Sequence, residues 1–245
     1  MMLEVSNKTT NPEVSQPTKA CAAISIYEFG GSEKQVREIQ RFFLGYFRHC
    51  RKVADLGCGR GIFLDLLRSA GIQGVGIDSS EESVQACHAK GLEPICQNDI
   101  FAFLADCHER FDGIFCSHVI EHLPYEDGVR LMELCYQALQ TNGRLVVVTP
   151  NSSDLSVSGE IFWLDPTHVR FYPLLLLKRM ATLVGFDVTG GGNVLGSWRA
   201  LPKRKFLGFL LRRLFWGRFF GRPNTFLVAD KRSNFCPASH VLAGS

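Results

Sequence analysis

The sequence lacks several features that would assign it to large classes of proteins. It has no run of about 18 apolar residues that could span a bilayer, and its beginning lacks the basic and then apolar pattern of a secretory signal. Its nine cysteines include no C-x-x-C pair, which argues against a zinc site, and their odd number argues against a disulfide framework. A net charge of +3 is too small to indicate nucleic-acid binding by itself. We therefore expect a cytoplasmic protein with reduced thiols, no bound metal and no nucleic-acid partner.

Two common nucleotide-binding loops are missing as well. The dinucleotide fingerprint G-x-G-x-x-G would need a glycine at position 62, where Ile62 stands, and no Gly-Lys-Ser/Thr ends a phosphate-binding loop. Instead, a short apolar strand leads into glycines at alternate positions, in the pattern D-x-G-x-G-x-G at 55–61. These glycines let the backbone turn sharply and approach a ligand with no Cβ in the way. The helix that follows can direct its first N–H groups at the same ligand.

An acidic residue at the end of the next predicted strand completes this pattern. Asp78 stands 17 residues past Gly61. In dinucleotide-binding folds a carboxylate at this place accepts hydrogen bonds from the ribose. The alternative role of Asp78 is to cap the following helix, although Ser79 or Ser80 can do so instead. The loop and the acid together predict a nucleoside pocket.

The chain length of 245 residues suits one α/β domain with appendages. Residues 1–22 are polar and predict a disordered leader, residues 23–235 form the domain, and residues 236–245 are predicted to be a flexible tail. Within the domain, short apolar runs alternate with helical patterns, which indicates parallel strands covered on both faces. We predict strands at 53–56, 74–77, 94–97, 111–117, 143–149, 186–188 and 224–229, and helices at 32–49, 62–69, 81–90, 125–139 and 173–184.

The glycine loop resembles motif I of the class I S-adenosylmethionine (SAM)-dependent methyltransferases. Further motifs follow in family order at Phe29–Glu33, Gln40–Arg41, Asp55–Gly61, Gly76–Asp78, Ser117–Leu123, Thr149–Asn151 and Leu164–Arg170. Together they resemble the methyltransferase domain of bacterial O-antigen chain-terminating enzymes and their relatives in glycan biosynthesis. The resemblance implies a Rossmann-like, seven-stranded, mostly parallel sheet with helices on both faces, and SAM as the cofactor. Two departures are that Gly30 stands where the family often has arginine, and that no kinase domain follows, so another protein would have to phosphorylate a phosphoglycan acceptor.

The resemblance also implies roles for individual residues around the cofactor. Asp55 would interact indirectly with the methionine amine, Asp78 would bind the ribose, and the carboxylate of Asp99 would accept from the adenine amino group. Asp55 can alternatively cap its loop, and Asp99 can form an Asx turn. The implied cofactor-binding set is Asp55, Gly57, Cys58, Gly59, Gly61, Asp78, Ser79, Asn98, Asp99, Ile100, Ser117 and His118. For Cys58 we expect only the backbone to matter, since methyl transfer from a sulfonium needs no nucleophilic thiol.

Three histidines are candidates for a general base, and two other residues for contacts to the acceptor. His118, His122 and His168 can each take a proton near neutral pH, although His122 can equally cap or pack. Asp165 and Arg170 are the candidate substrate-binding residues, because an arginine holds an anionic group bidentately. Asp165 to Thr167 can instead be a helix-entry turn. An acceptor that is already ionised would need no base at all.

A basic and aromatic stretch lies at 199–222, between the last two predicted strands. It carries eight basic residues and no acid, and it suits an anionic membrane surface. The alternatives are packing on its own domain, a dimer contact or a glycosyltransferase partner. The sequence thus predicts a cytoplasmic enzyme, peripheral on the inner membrane face, that O-methylates a glycan or phosphoglycan intermediate. The other hypotheses are O-methylation of a small, quinone-precursor-like metabolite, and a non-catalytic SAM-binding scaffold.

Overall fold

The computed structural model describes residues 32–93, 95–96, 99–194 and 221–232. The predicted leader at 1–22, the tail at 236–245 and residues 199–220 of the basic stretch lie outside the described residues, as does the predicted cofactor residue Asn98. None of the helices in the described ranges has the length and hydropathy needed to cross a membrane.

Seven strands form one mixed sheet, in the order β3-β2-β1-β4-β5-β7-β6. The first five strands pair in parallel, and β7 runs antiparallel between β5 and β6. This confirms the predicted mostly parallel α/β sheet. Strand order reverses beside β1, where β2 lies on one side and β4 on the other, and such a reversal opens a ligand crevice at the carboxyl ends of the strands. The strands are β1 (Lys52–Leu56), β2 (Gln73–Asp78), β3 (Ile95–Cys96), β4 (Phe111–Ser117), β5 (Leu139–Pro150), β6 (Phe186–Val194) and β7 (Asn224–Lys231).

Helices pack on both faces of the sheet, as predicted. Alternate residues of the strands enter two separate hydrophobic clusters: Val53 and Val146 contribute to one, Ala54 and Leu145 to the other. Because successive side chains of a strand point to opposite faces, these clusters lie on the two sides of the sheet. The helices are α1 (Glu33–Leu44), α2 (Ile62–Ser69), α3 (Glu81–Ala89), α4 (Ile100–Ala105), α5 (Tyr125–Ala138), α6 (Leu155–Gly159) and α7 (Leu174–Val184).

Local sequence signals account for several helix ends. Ser32 caps α1 as predicted: its hydroxyl accepts from the N–H of Gln35, while the Gln35 side chain accepts from the N–H of Ser32. At its C-terminus, α7 stops at Gly185, which adopts the left-handed conformation with φ of 114°.

Several observed elements differ from the prediction; among them, β5 begins at Leu139 and not at 143, and α6 was not predicted. The first helix ends at Leu44, and a 3₁₀ turn at Gly45–Phe47 replaces its predicted last turn. The six-residue helix α4 was not predicted, because its sequence IFAFLA has no polar face that would show a helical period. The strand β6 continues to Val194 through three glycines, since hydrogen bonds to β7 hold them extended.

Candidate cofactor and acceptor site

The glycine loop between β1 and α2 has the backbone that its glycines allow. Gly57, Gly59 and Gly61 have φ of 69°, 53° and 73°, values that L-residues with a Cβ rarely adopt. The N–H groups of Gly57 and Cys58 both donate to the carbonyl of Ile77 at the end of β2, over 2.8 and 3.0 Å. The loop is therefore fixed to the neighbouring strand, and its glycines leave a backbone surface open to close approach.

Asp78 ties this loop to the end of β2. Its Oδ2 accepts from the N–H of Gly59 over 2.7 Å, and its Oδ1 accepts from the N–H of Ser80 over 2.9 Å. The N-cap of α3 is Ser80, whose hydroxyl accepts from the N–H of Ser83, while Ser79 is exposed. A serine caps this helix, as predicted, but the carboxylate of Asp78 still accepts from two backbone N–H groups. Each oxygen of Asp78 retains a second lone pair for a ribose hydroxyl.

Asp55 is a buried acid at the carboxyl end of β1. Only 2% of the residue is exposed, and its Oδ2 has no hydrogen-bond partner. Burial, and then the charge of Asp78, raise the pKa of Asp55 to about 8. A nearby positive charge would stabilise the ionised form of this unpartnered carboxyl group, so the site fits a cationic ligand. SAM carries two such groups, a sulfonium and an amine. Oδ2 makes no hydrogen bond that would support the alternative role, in which Asp55 caps its own loop.

Cys58 contributes a packed side chain as well as its backbone. A Cβ built on Gly76 would lie 2.8 Å from the sulfur of Cys58, so this thiol fills the space that the glycine leaves. Burial, and then the charge of Asp55, raise the pKa of the Cys58 thiol above its ordinary value, which leaves it protonated and unreactive. The expectation that only the backbone of Cys58 serves the cofactor stays a prediction, and the side chain has a packing role against Gly76.

Asp99 forms the local turn that stood as its alternative role. Its Oδ1 accepts from the N–H of Phe101 over 2.8 Å and caps α4. Ile100 begins that helix and is partly buried against the hydrophobic cluster on its side of the sheet. The proposed contacts of Asp99 and Ile100 with the adenine stay predictions.

The end of β4 carries a polar network that lies beside the glycine loop. Val119 packs against Gly57, where an added Cβ would approach its Cγ2 to 2.5 Å, and the carbonyl of Ser117 lies 4.0 Å from the same point. Between these two residues His118 adopts a positive φ of 56°. Its Nδ1 lies 2.9 Å from Oε1 of Glu121, a residue with no exposed surface.

Glu121 is held from both sides. Its Oε2 accepts from the buried hydroxyl of Thr149 on β5 over 3.0 Å, and its carbonyl accepts from the N–H groups of Val169 and Arg170. Burial alone would lower the pKa of His118 and raise that of Glu121, but the attraction between the two outweighs it. The pKa of His118 is therefore raised and that of Glu121 lowered. Together they form an ion pair at the carboxyl edge of the sheet.

Residues 165–168 form a turn that faces this network. Oδ1 of Asp165 accepts from both the N–H and the hydroxyl of Thr167, and the same hydroxyl lies 2.9 Å from Nδ1 of His122. His168 is 12% exposed, and its Nδ1 donates to the carbonyl of Phe162 over 2.6 Å. The structure thus brings together the three predicted histidines and Asp165, and it shows the Asp165 turn that stood as the alternative.

Arg170 is close to the same cluster. Its guanidinium lies 5.5 and 5.1 Å from the ring centres of Tyr125 and Tyr172, and its buried Nε has no hydrogen-bond partner. No ion pair of Arg170 is present among the described residues, so its charge is available to a ligand.

Comparison with known proteins assigns the chain to a family. A family described as "Methyltransferase domain" matches residues 31–190. The chain belongs to this methyltransferase family. A solved SAM-dependent methyltransferase from Archaeoglobus fulgidus is 26% identical, with a TM-score of 0.71 over 83% of this chain and 96% of that one. A SAM-dependent methyltransferase from Mesorhizobium loti, at 18% identity and a TM-score of 0.58, supports the fold alone.

Curated relatives of this methyltransferase carry one recurrent name. A "Ubiquinone biosynthesis O-methyltransferase" of Nitrosospira multiformis is 29% identical over 206 residues, which is 76% of this chain and 85% of that protein. The mitochondrial protein of that name from Bos taurus is 31% identical over 120 residues. The match spans 45% of this chain and 32% of the bovine protein.

These findings confirm the class I SAM-dependent methyltransferase, its Rossmann-like fold and SAM as its cofactor. They do not support the narrower resemblance to O-antigen chain-terminating enzymes. The residues missed by sequence reasoning are Glu121 and Thr149. A signal for Glu121 was present, since an acid directly follows the apolar residues Val119 and Ile120, but its partner on β5 is set by the fold.

Proposed function

We propose that this methyltransferase O-methylates a hydroxyl group of a small, quinone-precursor-like aromatic metabolite. One observation carries the proposal: the buried Glu121 orients His118 beside the cofactor loop, so that an imidazole nitrogen is left for an acceptor hydroxyl. The side chain of His118 is 46% exposed and can be reached from outside.

The chain's own residues supply alignment and a controlled environment for the reaction. When bound, SAM would supply an electrophilic methyl group for transfer to the acceptor oxygen, and the proton of the acceptor hydroxyl would pass to water. Asp55 and Asp78 hold the cationic cofactor by charge and hydrogen bonds. His118, fixed through Nδ1 by Glu121, positions the hydroxyl through Nε2. Alignment of this kind contributes several kcal/mol to lowering such a barrier.

The names of the relatives favour the small-metabolite acceptor over the glycan that the sequence motifs suggested. The relatives in Nitrosospira and Bos are both named for ubiquinone biosynthesis. The match to the bovine protein covers about a third of it, 32% of its length, and we propose the same acceptor class for this chain.

One observation keeps a phosphorylated sugar as the second candidate acceptor. The guanidinium of Arg170 has no ion pair in the described part of the chain, and the backbone N–H of the same residue donates to the carbonyl of Glu121. An anionic group is the natural partner of such a guanidinium.

Methyl transfer from SAM with a labelled methyl group tests both candidates in one experiment. The purified full chain is incubated with dihydroxybenzoates, with a neutral hexose and with a hexose phosphate, and the labelled products are identified by mass spectrometry. We expect aryl methyl ethers from the dihydroxybenzoates. Label on the hexose phosphate alone, lost in Arg170→Met, would replace this proposal with the phosphoglycan acceptor.

A further inference from the structure

Glu121, His122 and His168 form a cluster of metal-ligating groups beside the proposed acceptor position. One carboxylate oxygen of Glu121 and one ring nitrogen of each histidine all lie within 4.8 Å of one another. The two imidazole rings are tilted by 51°, with their centres 4.7 Å apart. Glu121 is fully buried and both histidines are partly buried. Three donors this close around one point are the first requirement of a metal site.

The hydrogen bonds of His168 fix which of its nitrogens is free. Its Nδ1 lies 2.6 Å from the carbonyl oxygen of Phe162, which can only accept, so Nδ1 carries the hydrogen. In the neutral ring this leaves Nε2 with the lone pair, and Nε2 lies 3.8 Å from Oδ2 of Asp165, beyond hydrogen-bond distance. An imidazole whose other N–H donates to a backbone carbonyl is the usual arrangement of a metal-binding histidine.

The same reasoning applies to His122. The hydroxyl of Thr167 lies 2.6 Å from Oδ1 of Asp165, and since a carboxylate only accepts, the hydroxyl hydrogen is used there. Nδ1 of His122, 2.9 Å from that hydroxyl oxygen, must then be the donor. The chain Asp165, Thr167, His122 therefore also leaves Nε2 as the available nitrogen.

Glu121 has the partners that a ligating carboxylate usually has. Thr149 donates to one of its oxygens, and His118 contacts the other. Each oxygen keeps one further lone pair. Such outer hydrogen bonds hold ligating carboxylates in place. All three candidate ligands are thus oriented by groups from β5, from the turn after β4 and from residues 162–168.

We propose that Glu121, His122 and His168 bind a divalent first-row transition-metal cation, with Zn²⁺ the reference ion. Two imidazoles and one carboxylate favour such ions over Mg²⁺ or Ca²⁺, which prefer oxygen ligands alone. Three protein ligands leave a fourth position open, as in catalytic zinc sites. The open position takes water or an acceptor oxygen. The sequence expectation of a protein without metal rested on cysteine spacing and did not consider histidine pairs brought together by folding.

A binding measurement with the metal alone tests this site without SAM or acceptor, so its result does not depend on the proposed function. The full chain is stripped with a chelator and titrated with Zn²⁺ by calorimetry, and with Co²⁺ while its visible d–d bands are followed. We expect one equivalent to bind, with Co²⁺ bands typical of nitrogen and oxygen ligands. His122→Ala and His168→Ala should each weaken the affinity at least tenfold. Thr167→Val, which removes the hydroxyl but keeps the backbone carbonyl 3.3 Å from Nδ1 of His122, should weaken it less than either alanine variant.

Matched controls separate this site from accidental binding. His88→Ala removes an exposed histidine on α3 and should leave the titration unchanged. Far-UV circular dichroism and SAM affinity confirm that the variants are folded. His168→Gln, which keeps an amide donor for the Phe162 carbonyl, serves if the alanine variant is not folded. Absence of stoichiometric binding, binding equal in all histidine variants, or sulfur-to-cobalt charge-transfer bands from the cysteines would each overturn the proposal.

Discussion

At the scale of single residues, Asp55 is a carboxyl group that the fold keeps protonated at neutral pH while no cationic cofactor is bound beside it. Its ordinary pKa of 3.8 is raised to about 8 by burial and by the charge of Asp78. Between these two values the native state binds the proton and the unfolded state does not. The contribution of Asp55 to stability is therefore complete below about pH 4 and is lost as the pH rises through about 8.

We accordingly predict that the SAM-free protein loses stability between pH 5 and pH 9, and that Asp55→Asn loses less. Asparagine has the shape of the protonated acid but cannot ionise, so the variant should be as stable as the natural protein at the acid end and more stable, by a few kcal/mol, at the alkaline end. Urea unfolding across this range measures the effect. Glu133→Gln, an exposed site on α5, is the control. Parallel pH profiles for Asp55→Asn and the natural protein would contradict the assignment.

A second prediction at this scale concerns Asp78. Asp78→Ala should weaken SAM binding by about 1–3 kcal/mol, through loss of charged hydrogen bonds to the ribose and of the bond that holds Gly59. Calorimetry with SAM measures this, and Asp106→Ala, at the exposed end of α4, is the matched control. A dissociation constant that does not change in Asp78→Ala would count against the ribose assignment.

The sequence was most informative where a residue's role depends on its own strand. Asp55, the alternating glycines and Asp78 could all be placed, because each follows directly from a buried run and its turn. Glu121 could not, since its importance comes from Thr149, 28 residues further along the chain, and from the backbone at 169–170. Non-local pairings of this kind leave no periodic signal.

At the scale of elements, the two glycines that bound α2 offer a matched pair. Gly61 before the helix and Gly71 after it have nearly equal φ of 73° and 72°. A Cβ on Gly61 would lie 2.5 Å from Leu92 and 2.8 Å from the sulfur of Cys87, whereas one on Gly71 meets nothing within 4 Å. The two positions therefore require the same left-handed φ, but only Gly71 has room for a side chain.

We predict that Gly71→Ala costs about 1–2 kcal/mol of folding free energy, from the left-handed backbone alone. Gly61→Ala should cost about 1–3 kcal/mol more, because the added methyl group overpacks the helix against Leu92 and Cys87. It should also weaken SAM binding, since Gly61 belongs to the cofactor loop. Chemical unfolding of both variants measures the difference, and equal losses in the two would show that the neighbours move aside freely.

Elements with strong local signals were predicted within a few residues, and elements set by their neighbours were not. The helix α2 was predicted with its observed bounds, 62–69, because apolar residues and flanking glycines mark it. The extension of β6 through Gly190 to Gly192 could not be predicted, since three glycines favour a loop until the pairing with β7 is known.

At the scale of the whole molecule, the side chain of Arg144 connects the strand β5 to β7 and to the 3₁₀ turn Gly45–Phe47. Arg144 donates twice to Asp230, over 2.7 and 2.8 Å, and also to the carbonyl of Tyr46 over 3.2 Å. Both charged side chains are less than a quarter exposed. The pair therefore joins parts of the chain that are far apart in sequence.

Arg144→Met should lower the unfolding free energy by roughly 1–3 kcal/mol, because it leaves Asp230 and the Tyr46 carbonyl without their partner. The pair of Arg232 and Asp187, on the same side of the sheet but more exposed, provides the comparison. Arg232→Met should cost under about 1 kcal/mol. Denaturant unfolding of the two variants tests the ranking, and an equal cost would show that burial does not set the strength of these pairs.

The contact of residues 199–222 with an anionic membrane surface stays a prediction. A variant in which residues 195–220 are replaced by a short Gly-Ser linker should sediment less with anionic liposomes than the full chain, since each basic residue near such a surface contributes about 1 kcal/mol. Neutral liposomes are the control. Equal partitioning of the two proteins would remove the membrane hypothesis and favour packing on the domain or a protein partner.

The pairing of β6 with β7 has a consequence for how this enzyme can diversify. Val194, where the chain leaves the sheet, is paired with Asn224, where it re-enters, and Asn224 is also paired with Pro150 at the carboxyl end of β5. Closing a longer connection between two fixed neighbours adds little entropic cost. Insertions between Val194 and Asn224 can therefore change in length while β5, β6 and β7 keep their register.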